Sequence, residues 1–166
     1  MKTKIYWIRN IDSGHLGIMP RPRGGEWLED EVDSLLMSGV NILVSLLELP
    51  EIEELGLADE ANYCEQKGMT YLSFPIPDRG VPHSSREAAT LVKKLLTFLS
   101  EESKIVIHCR QGIGRSALIA ASVLVMKCLN TDTAFERIAE ARNCEVPDTG
   151  EQVCWVREFH SFIKLL

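Results

Sequence analysis

The sequence predicts an α/β fold in which helices cover both faces of a central, mainly parallel, twisted sheet. Short apolar runs rich in β-branched residues alternate along the chain with segments whose apolar residues recur at helical spacing. Residues 40–47 are almost continuously apolar, which indicates a strand buried on both faces. No internal repeat, low-complexity tract or linker interrupts this pattern, so residues 1–166 are expected to form a single domain.

Each element is predicted from its local pattern. Strands are expected over residues 4–9, 16–19, 40–47, 69–74 and 104–107. Helices are expected over residues 26–38, 57–67, 84–99, 117–129, 131–142 and 149–166. Gly39 and Gly68 directly follow two of these helices, where glycine commonly ends a helix. Residues 48–54 are interpreted as an acidic connector whose charges face the solvent.

Composition limits the classes of protein and partner. An apolar content of 45% and a charged content of 25% are ordinary for a globular protein that is soluble in water. A net charge of −6 argues against broad binding to nucleic acid or to anionic membranes. Five cysteines, an odd number without a Cys-x-x-Cys pair, favour reduced thiols over a disulfide framework. No apolar run reaches the length of a signal peptide core or a membrane span, so a cytoplasmic location is expected.

The most informative stretch is residues 108–116, His-Cys-Arg-Gln-Gly-Ile-Gly-Arg-Ser. It lies between an apolar strand and a helical pattern, so a strand ends at a thiol, turns through two glycines and enters a helix. The N–H groups of such a turn, together with the positive end of the helix dipole, bind anions and favour a thiolate over a thiol. Cys109 is therefore a candidate nucleophile. Arg115 is a candidate to hold two oxygens of a tetrahedral anion such as phosphate.

A second loop that follows a strand, residues 75–82, offers the acid that this chemistry needs. Three prolines and one glycine shape the loop around Asp78. Ligands of parallel sheets bind beyond the carboxyl ends of the strands, where both loops are expected. A thiolate that attacks the phosphorus of a monoester requires a group that protonates the departing oxygen. Asp78 is the candidate general acid, although an aspartate after proline also commonly caps a turn.

Residues 108–116 resemble the phosphate loop of the protein tyrosine and dual-specificity phosphatases, where five residues separate His-Cys from Arg and then Ser or Thr follows. The resemblance extends from residue 40 to the C-terminus. The loop at residues 75–82 and the chain length are most similar to compact dual-specificity enzymes of the kinase-associated-phosphatase type, and stand-alone bacterial tyrosine phosphatases share the pattern. The resemblance implies the protein tyrosine phosphatase fold at dual-specificity size, and hydrolysis without a metal or an organic cofactor.

The resemblance also implies a role for each residue of the site. Cys109 attacks phosphorus and becomes a phosphocysteine, while Arg115 binds the phosphate and stabilises the transition state. Asp78 acts as general acid in the first step and as general base in the second. Ser116 stabilises the leaving thiolate, and His108 orders the loop. The backbone amides that bind the phosphate oxygens belong to Arg110, Gln111, Gly112, Ile113 and Gly114.

Gln152 has two interpretations. Many tyrosine phosphatases use a glutamine downstream of the phosphate loop to position water, and the resemblance implies this catalytic role for Gln152. Thr149 and Gln152 also have the spacing of a capping box, which explains the glutamine structurally.

The arginines of residues 20–25, Arg21 and Arg23, also have two interpretations. They belong either to a solvated turn or, in one case, to the flank of the anion site.

The leading hypothesis is an active phosphatase on phosphoproteins, with phosphotyrosine as the first substrate and phosphoserine or phosphothreonine as further ones. At 166 residues the chain has little room for the aromatic loop that deepens the pocket of long tyrosine-specific domains.

Three alternatives remain. In the first, the enzyme acts on a non-protein phosphomonoester such as an inositol phosphate or an RNA 5′ end. In the second, the chain is a phosphate-binding pseudoenzyme module. In the third, it is a sulfurtransferase or an arsenate reductase. Enzymes of the first kind tend to carry lysines at positions that here hold Arg110, Gln111 and Ile113. Pseudoenzymes usually lack the cysteine, the arginine or the acid, and the last class would not require Asp78.

Overall fold

The computed structural model describes residues 2–9, 11 and 13–166. Its strands are Tyr6–Trp7 (β1), His15–Met19 (β2), Ile42–Ser45 (β3), Thr70–Ser73 (β4) and Lys104–His108 (β5). Its helices are Leu28–Met37 (α1), Leu49–Glu54 (α2), Glu60–Gln66 (α3), Ser85–Ser100 (α4), Arg115–Met126 (α5), Thr131–Arg142 (α6) and Gly150–Ile163 (α7), with a 3₁₀ turn at Gly25–Trp27. One sheet has the order β1-β2-β5-β3-β4. All neighbouring strands are parallel except β1, which runs antiparallel to β2 at the edge.

The sheet separates two layers of apolar packing. Ile105 and Ile107 of β5 belong to the core that includes α4, α5, α6 and α7. Val106 points the other way and belongs to the core formed with α1 and α3. This alternation is the period-two pattern of a strand buried on both sides. The predicted α/β fold with helices on both faces of a mainly parallel sheet is therefore confirmed.

Most predicted elements are present. Strands β1, β3 and β4 are shorter than the sequence indicated, whereas β2 and β5 are each one residue longer. Residues 4–9 contribute only Tyr6–Trp7 to the sheet, because β1 is an edge strand that pairs with β2 alone. The helix Thr131–Arg142 has the predicted bounds. Within the part of the chain that the structure describes, no helix has the length and apolarity that crossing a membrane requires.

The interpretation of residues 48–54 as a solvated connector is wrong. They form α2, with Pro50 in its first turn. The Glu48 side chain accepts from the Glu51 N–H, and the Glu51 carboxylate accepts from the Glu48 N–H at 2.9 Å. This reciprocal cap closes the first turn and turns the Glu51 side chain into the protein.

Three neighbouring parallel strands end at the same edge of the sheet. The residue after β5 is Cys109, β3 leads into α2, and β4 leads into the loop of residues 75–82. Side chains from three distant parts of the sequence therefore meet beyond one edge, where α/β sheets bind their ligands.

Candidate active site

The loop between β5 and α5 forms the floor of the site. Cys109 is 3% exposed, and its Sγ lies 3.3 Å from the Oγ of Ser116 in the first turn of α5. Gly112 has φ +70°, and a Cβ at this position would lie 2.4 Å from the backbone of Met19. Glycine is therefore required here for two reasons, the left-handed conformation and the close approach of β2.

The backbone N–H groups of this loop are available to a ligand. In the described part of the chain, no N–H group of residues 110–114 donates a hydrogen bond to a protein acceptor. Buried N–H groups are nearly always paired in folded proteins, so such a ring next to a helix N-terminus is suited to an anion. The predicted amide donors of Arg110, Gln111, Gly112, Ile113 and Gly114 lie in this ring.

Arg115 is 2% exposed and is held by two carboxylates. Its Nη1 and Nη2 donate to the two oxygens of Glu51 at 2.8 and 2.9 Å, a bidentate pair. Nη2 also donates to Asp78 at 3.0 Å, and Nη1 donates to the carbonyl of Ile76 at 2.9 Å. Burial acts to lower the pKa of Arg115, but the hydrogen bonds it donates to Glu51 and the charges of Cys109, Glu51 and Asp78 raise it above its ordinary value. The guanidinium stays charged and fixed in direction.

Glu51 is the first of several residues of the site that the sequence did not reveal. Burial acts to raise its pKa, but the hydrogen bonds with Arg115, Glu48 and Arg110 outweigh this, and the pKa of Glu51 is lowered from its ordinary value of 4.5. The only sequence signal is the Glu48-x-x-Glu51 spacing around Pro50, a weak one because glutamate is not a favoured N-cap residue.

Removal of Glu51 is expected to destabilise the fold. The Glu51→Ala variant leaves the buried Arg115 with Asp78 and the Ile76 carbonyl alone, and breaking a buried ion pair costs about 3 kcal/mol or more. Because the pKa of Glu51 is lowered on folding, its contribution is fully present above pH 4.5 and is lost as the pH falls below that value. Urea unfolding of wild type and variant at neutral and at decreasing pH measures both effects.

Glu54→Ala is the matched control for this variant. Glu54 lies on the same helix, its side chain is 68% exposed, and it contacts Arg110 at 3.3 Å. An exposed pair of this kind contributes less than about 1 kcal/mol. Equal losses in the two variants, or a Glu51→Ala loss that does not shrink in acid, would contradict the assigned role of Glu51.

His108 supports the loop from beneath. The ring is fully buried, with Nε2 at 3.0 Å from the Glu60 carboxylate and Nδ1 at 3.3 Å from the carbonyl of Cys109. Burial and the charge of Glu60 raise the pKa values of Tyr71 and Cys64 to about 12, so both remain neutral. The contacts of both ring nitrogens give the ordering role expected of His108 a structural basis. Glu60 is a second buried carboxylate that the sequence did not reveal.

Arg142, at the end of α6, holds the outer side of the loop. Its guanidinium donates to the carbonyls of Gly112 and Gln111 at 3.1 and 3.3 Å, and it lies 4.1 Å from the ring centroid of Tyr6. The C=O and the following N–H of a trans peptide point in opposite directions. Because Arg142 holds these carbonyls on the outer side, the N–H groups of Gly112 and Ile113 face the opposite side of the loop, where an anion would bind.

Loss of these two hydrogen bonds is expected to weaken anion binding. We expect Arg142→Met to raise the inhibition constant of orthovanadate about tenfold, since each lost bond contributes about 1 kcal/mol or less to the loop conformation. Arg86→Met, on the exposed face of α4, removes the same charge elsewhere and serves as the control. Unchanged vanadate inhibition in Arg142→Met, or an equal change in both variants, would remove Arg142 from this role.

Asp78 closes the site from the loop of residues 75–82. Its side chain is 55% exposed and reaches Arg115, while the Gly80 N–H donates to the Pro77 carbonyl at 2.8 Å to shape the turn. A cavity of about 70 Å³ is lined by Asp78, Arg79, Cys109, Arg110, Gln111, Arg115 and Asp148. Asp78, predicted from one loop, and Cys109 and Arg115, predicted from another, are thus brought together. Asp148 is a further carboxylate of the cavity that the sequence did not single out.

Gln152 lies beneath this loop and outside the cavity lining. Its side-chain oxygen accepts from the N–H groups of Asp148 and Thr149 at 3.1 and 3.2 Å. Its Nε2 donates to the carbonyl of Gly80 at 3.0 Å. These bonds complete the capping box of α7 and tie the Asp78 loop to the turn before α7. They favour the capping interpretation, and the positioning of water by Gln152 stays a prediction.

Arg21 and Arg23 lie outside the cavity lining. Arg23 pairs with Glu31 at 2.8 Å and stacks on Trp27, which explains it structurally. The backbone N–H of Arg21 donates to the carbonyl of Arg110 at 3.2 Å, so the segment that follows β2 supports the phosphate loop through its main chain.

The sequence is similar to known phosphatases. The family model described as "Polymorphic toxin system, DSP-PTPase phosphatase" matches residues 17–128. The 197R protein of Invertebrate iridescent virus 6, which is named as a tyrosine phosphatase, is 33% identical over 157 residues, or 91% of this chain and 54% of the viral protein. Cyclin-dependent kinase inhibitor 3 of Rattus norvegicus is 25% identical over 134 residues, or 80% of this chain and 63% of that protein. The chain thus spans less than two thirds of the length of these relatives.

The fold matches a solved phosphatase over its whole length. The crystal structure of kinase-associated phosphatase, with its catalytic-site cysteine replaced by serine, superposes with a TM-score of 0.91 at 20% identity and covers 100% of this chain and 98% of that one. The resemblance that the phosphate loop indicated is confirmed. The chain belongs to the DSP-PTPase family of dual-specificity protein tyrosine phosphatases.

Proposed function

We propose that this chain is a phosphoprotein phosphatase that works through a phosphocysteine on Cys109. The observation that carries the proposal is the buried Cys109 thiol at a helix N-terminus, inside a ring of available N–H groups and beside the fixed guanidinium of Arg115. This arrangement supports binding of the oxygens of a phosphate monoester with the thiol as the attacking nucleophile.

In the first step, the Cys109 thiolate attacks phosphorus and the ester P–O bond breaks. The loop amides and Arg115 hold the equatorial oxygens, where the transition state carries its charge. Asp78, protonated, gives its proton to the departing alkoxide or phenoxide. The products of this step are the free alcohol or phenol and the phosphocysteine.

In the second step, water attacks the phosphocysteine and the P–S bond breaks. Asp78, now ionised, takes a proton from the water. The Ser116 hydroxyl, 3.3 Å from Sγ, donates a hydrogen bond to the leaving thiolate. Inorganic phosphate leaves, and the enzyme returns to its starting protonation state.

The cavity lining supports activity on phosphoserine and phosphothreonine as well as on phosphotyrosine. No aromatic residue is among those that line it in the described chain, so no wall selects a phenyl ring by stacking. Arginine is the only basic residue type in the same lining, and Arg110 is shared with Glu51 and Glu54. This supports a single phosphate as ligand in preference to a polyphosphorylated one such as an inositol phosphate.

A cytoplasmic location fits this chemistry. All five cysteines are free thiols, and the reaction needs Cys109 reduced. Reducing compartments keep such thiols in this state.

Trapping of the intermediate tests the proposal. Rapid acid quench of the enzyme with a phosphotyrosine peptide, followed by mass spectrometry, is expected to show one added phosphoryl group on the peptide that contains Cys109. Steady-state assays with phosphotyrosine and phosphoserine peptides, an inositol phosphate and a 5′-phosphorylated RNA define the substrate class. Absence of turnover on every substrate, or a phosphoryl group on another residue, would overturn the proposal.

A further inference from the structure

A groove of about 550 Å³ lies directly beside the active-site cavity. It runs between α6 and the turn that leads into α7, and it includes residues of both. Asp148 lines the groove and also lines the cavity that contains Cys109 and Arg115. The two spaces therefore share a wall at Asp148, and the groove is next to the catalytic cavity.

The groove has an apolar floor and an acidic rim. Phe135, Val146 and Pro147 supply apolar surface, and four carboxylates line the same space: Asp132, Glu136, Glu145 and Asp148. No lysine, arginine or histidine of the described chain lines it. Arg157 pairs with Asp132 at 2.9 Å, but no ion pair among the described residues neutralises Glu136, Glu145 or Asp148.

The charge changes sign at Asp148. Arg79, Arg110 and Arg115 line the catalytic cavity, which suits the phosphate, whereas only carboxylates among the charged residues line the groove. A ligand that fills both spaces is therefore anionic at one point and cationic at the next.

The carboxylates of the groove do not form a metal site. In the described residues, no three His, Cys, Asp or Glu side chains are close enough together to hold a metal ion. The negative charge is spread along an apolar surface, which suits an extended ligand with basic side chains. The apolar stems of lysine and arginine lie well on such a floor while their charged ends reach the rim.

We propose that this groove is a substrate subsite that binds basic residues next to the phosphorylated residue. The inference rests on the proposed phosphoprotein phosphatase activity and assigns its sequence preference. Each exposed charge pair is worth about 1.5- to 5-fold in affinity. Two pairs therefore give a basic peptide an advantage of about tenfold in kcat/KM over an acidic one.

Four peptides that share one phosphotyrosine core test the preference. They carry two arginines or two glutamates directly before or directly after the phosphotyrosine. Wild type is expected to favour the arginine peptide about tenfold on one side of the phosphotyrosine, and to lose this advantage as salt is added, because surface charges are screened. p-Nitrophenyl phosphate, which has no flanking residues, reports the phosphatase activity itself.

The double variant Glu136→Gln/Glu145→Gln locates the preference. The ratio of kcat/KM between arginine and glutamate peptides is expected to fall to about twofold or less, since two of the rim charges are gone. Glu65→Gln/Glu101→Gln is the matched control: it makes the same change in net charge at exposed residues outside the groove and should keep the wild-type ratio. Comparison of ratios within each variant removes any difference in overall activity.

The outcomes separate the two proposals. Hydrolysis of p-nitrophenyl phosphate and of all peptides with equal kcat/KM overturns the subsite and leaves the phosphatase proposal standing. A preference that persists in Glu136→Gln/Glu145→Gln, or that falls equally in the control, also overturns the subsite. Failure of wild type on every substrate overturns the proposed function, and the subsite with it.

Discussion

Replacement of Cys109 by serine is expected to lower kcat/KM for a phosphotyrosine peptide by about 10⁴-fold or more, the size of loss seen when an enzyme loses its nucleophile. The serine hydroxyl occupies the same place above the N-terminus of α5, but it is not ionised at neutral pH and is a far weaker nucleophile than a thiolate. Steady-state kinetics with the same peptide measure the loss.

The structure also predicts what Cys109→Ser retains. The N–H groups of the loop and the guanidinium of Arg115 do not depend on the sulfur atom, so the variant is expected to bind the phosphopeptide with affinity near that of wild type. Titration calorimetry measures this binding. Cys154→Ser, at an exposed residue of α7, is the control and should keep full activity. Turnover by Cys109→Ser close to wild type would eliminate the covalent mechanism.

Local sequence patterns predicted the elements that carry their own end signals. The bounds of Thr131–Arg142 agree because Asn130 caps the first turn through its side chain and Asn143, with φ +60°, ends the last. The phosphate loop could also be predicted from the sequence, because its cysteine, glycines and arginine lie within nine consecutive residues and each has a chemical role there.

The supporting residues could not be predicted, because their partners are distant in the sequence. Glu51 is 64 residues from Arg115, Glu60 is 48 residues from His108, and Arg142 is 30 residues from Gly112. A glutamate in an acidic stretch is ordinarily a solvated residue. Only the parallel register of β3 against β5 brings Glu51 to Arg115.

The parallel strands β3, β4 and β5 bring both buried and exposed groups to the guanidinium of Arg115. Glu51, Ile76 and Asp78 all contact the guanidinium of Arg115, and Glu51 and Ile76 are buried. Asp78 is the exposed member of this set. A carboxyl that approaches the site from the solvent side is placed to reach the oxygen of the departing group.

Replacement of Asp78 by asparagine is therefore expected to lower kcat by about 10²- to 10⁴-fold for a phosphoserine peptide, whose leaving alkoxide needs a proton. The loss should be much smaller, about tenfold, for p-nitrophenyl phosphate, because a stabilised phenolate departs without full protonation. Asparagine keeps the size of the side chain and an oxygen that can accept from Arg115, so the position of the loop is preserved. Kinetics with both substrates, in parallel, separate a proton-transfer role from a general loss of structure.

Asp148→Asn is the matched comparison, since Asp148 is the other carboxylate of the cavity lining. Its position next to Gly114, in the turn joined to Gln152, places it at the wall shared with the groove. We expect Asp148→Asn to change kcat by less than about tenfold and without dependence on the leaving group, because Asp78 still supplies the proton. A larger, leaving-group-dependent loss in Asp148→Asn than in Asp78→Asn would transfer the general acid role to Asp148. Equal effects of Asp78→Asn on both substrates would remove Asp78 from proton transfer and leave it as a partner of Arg115 alone.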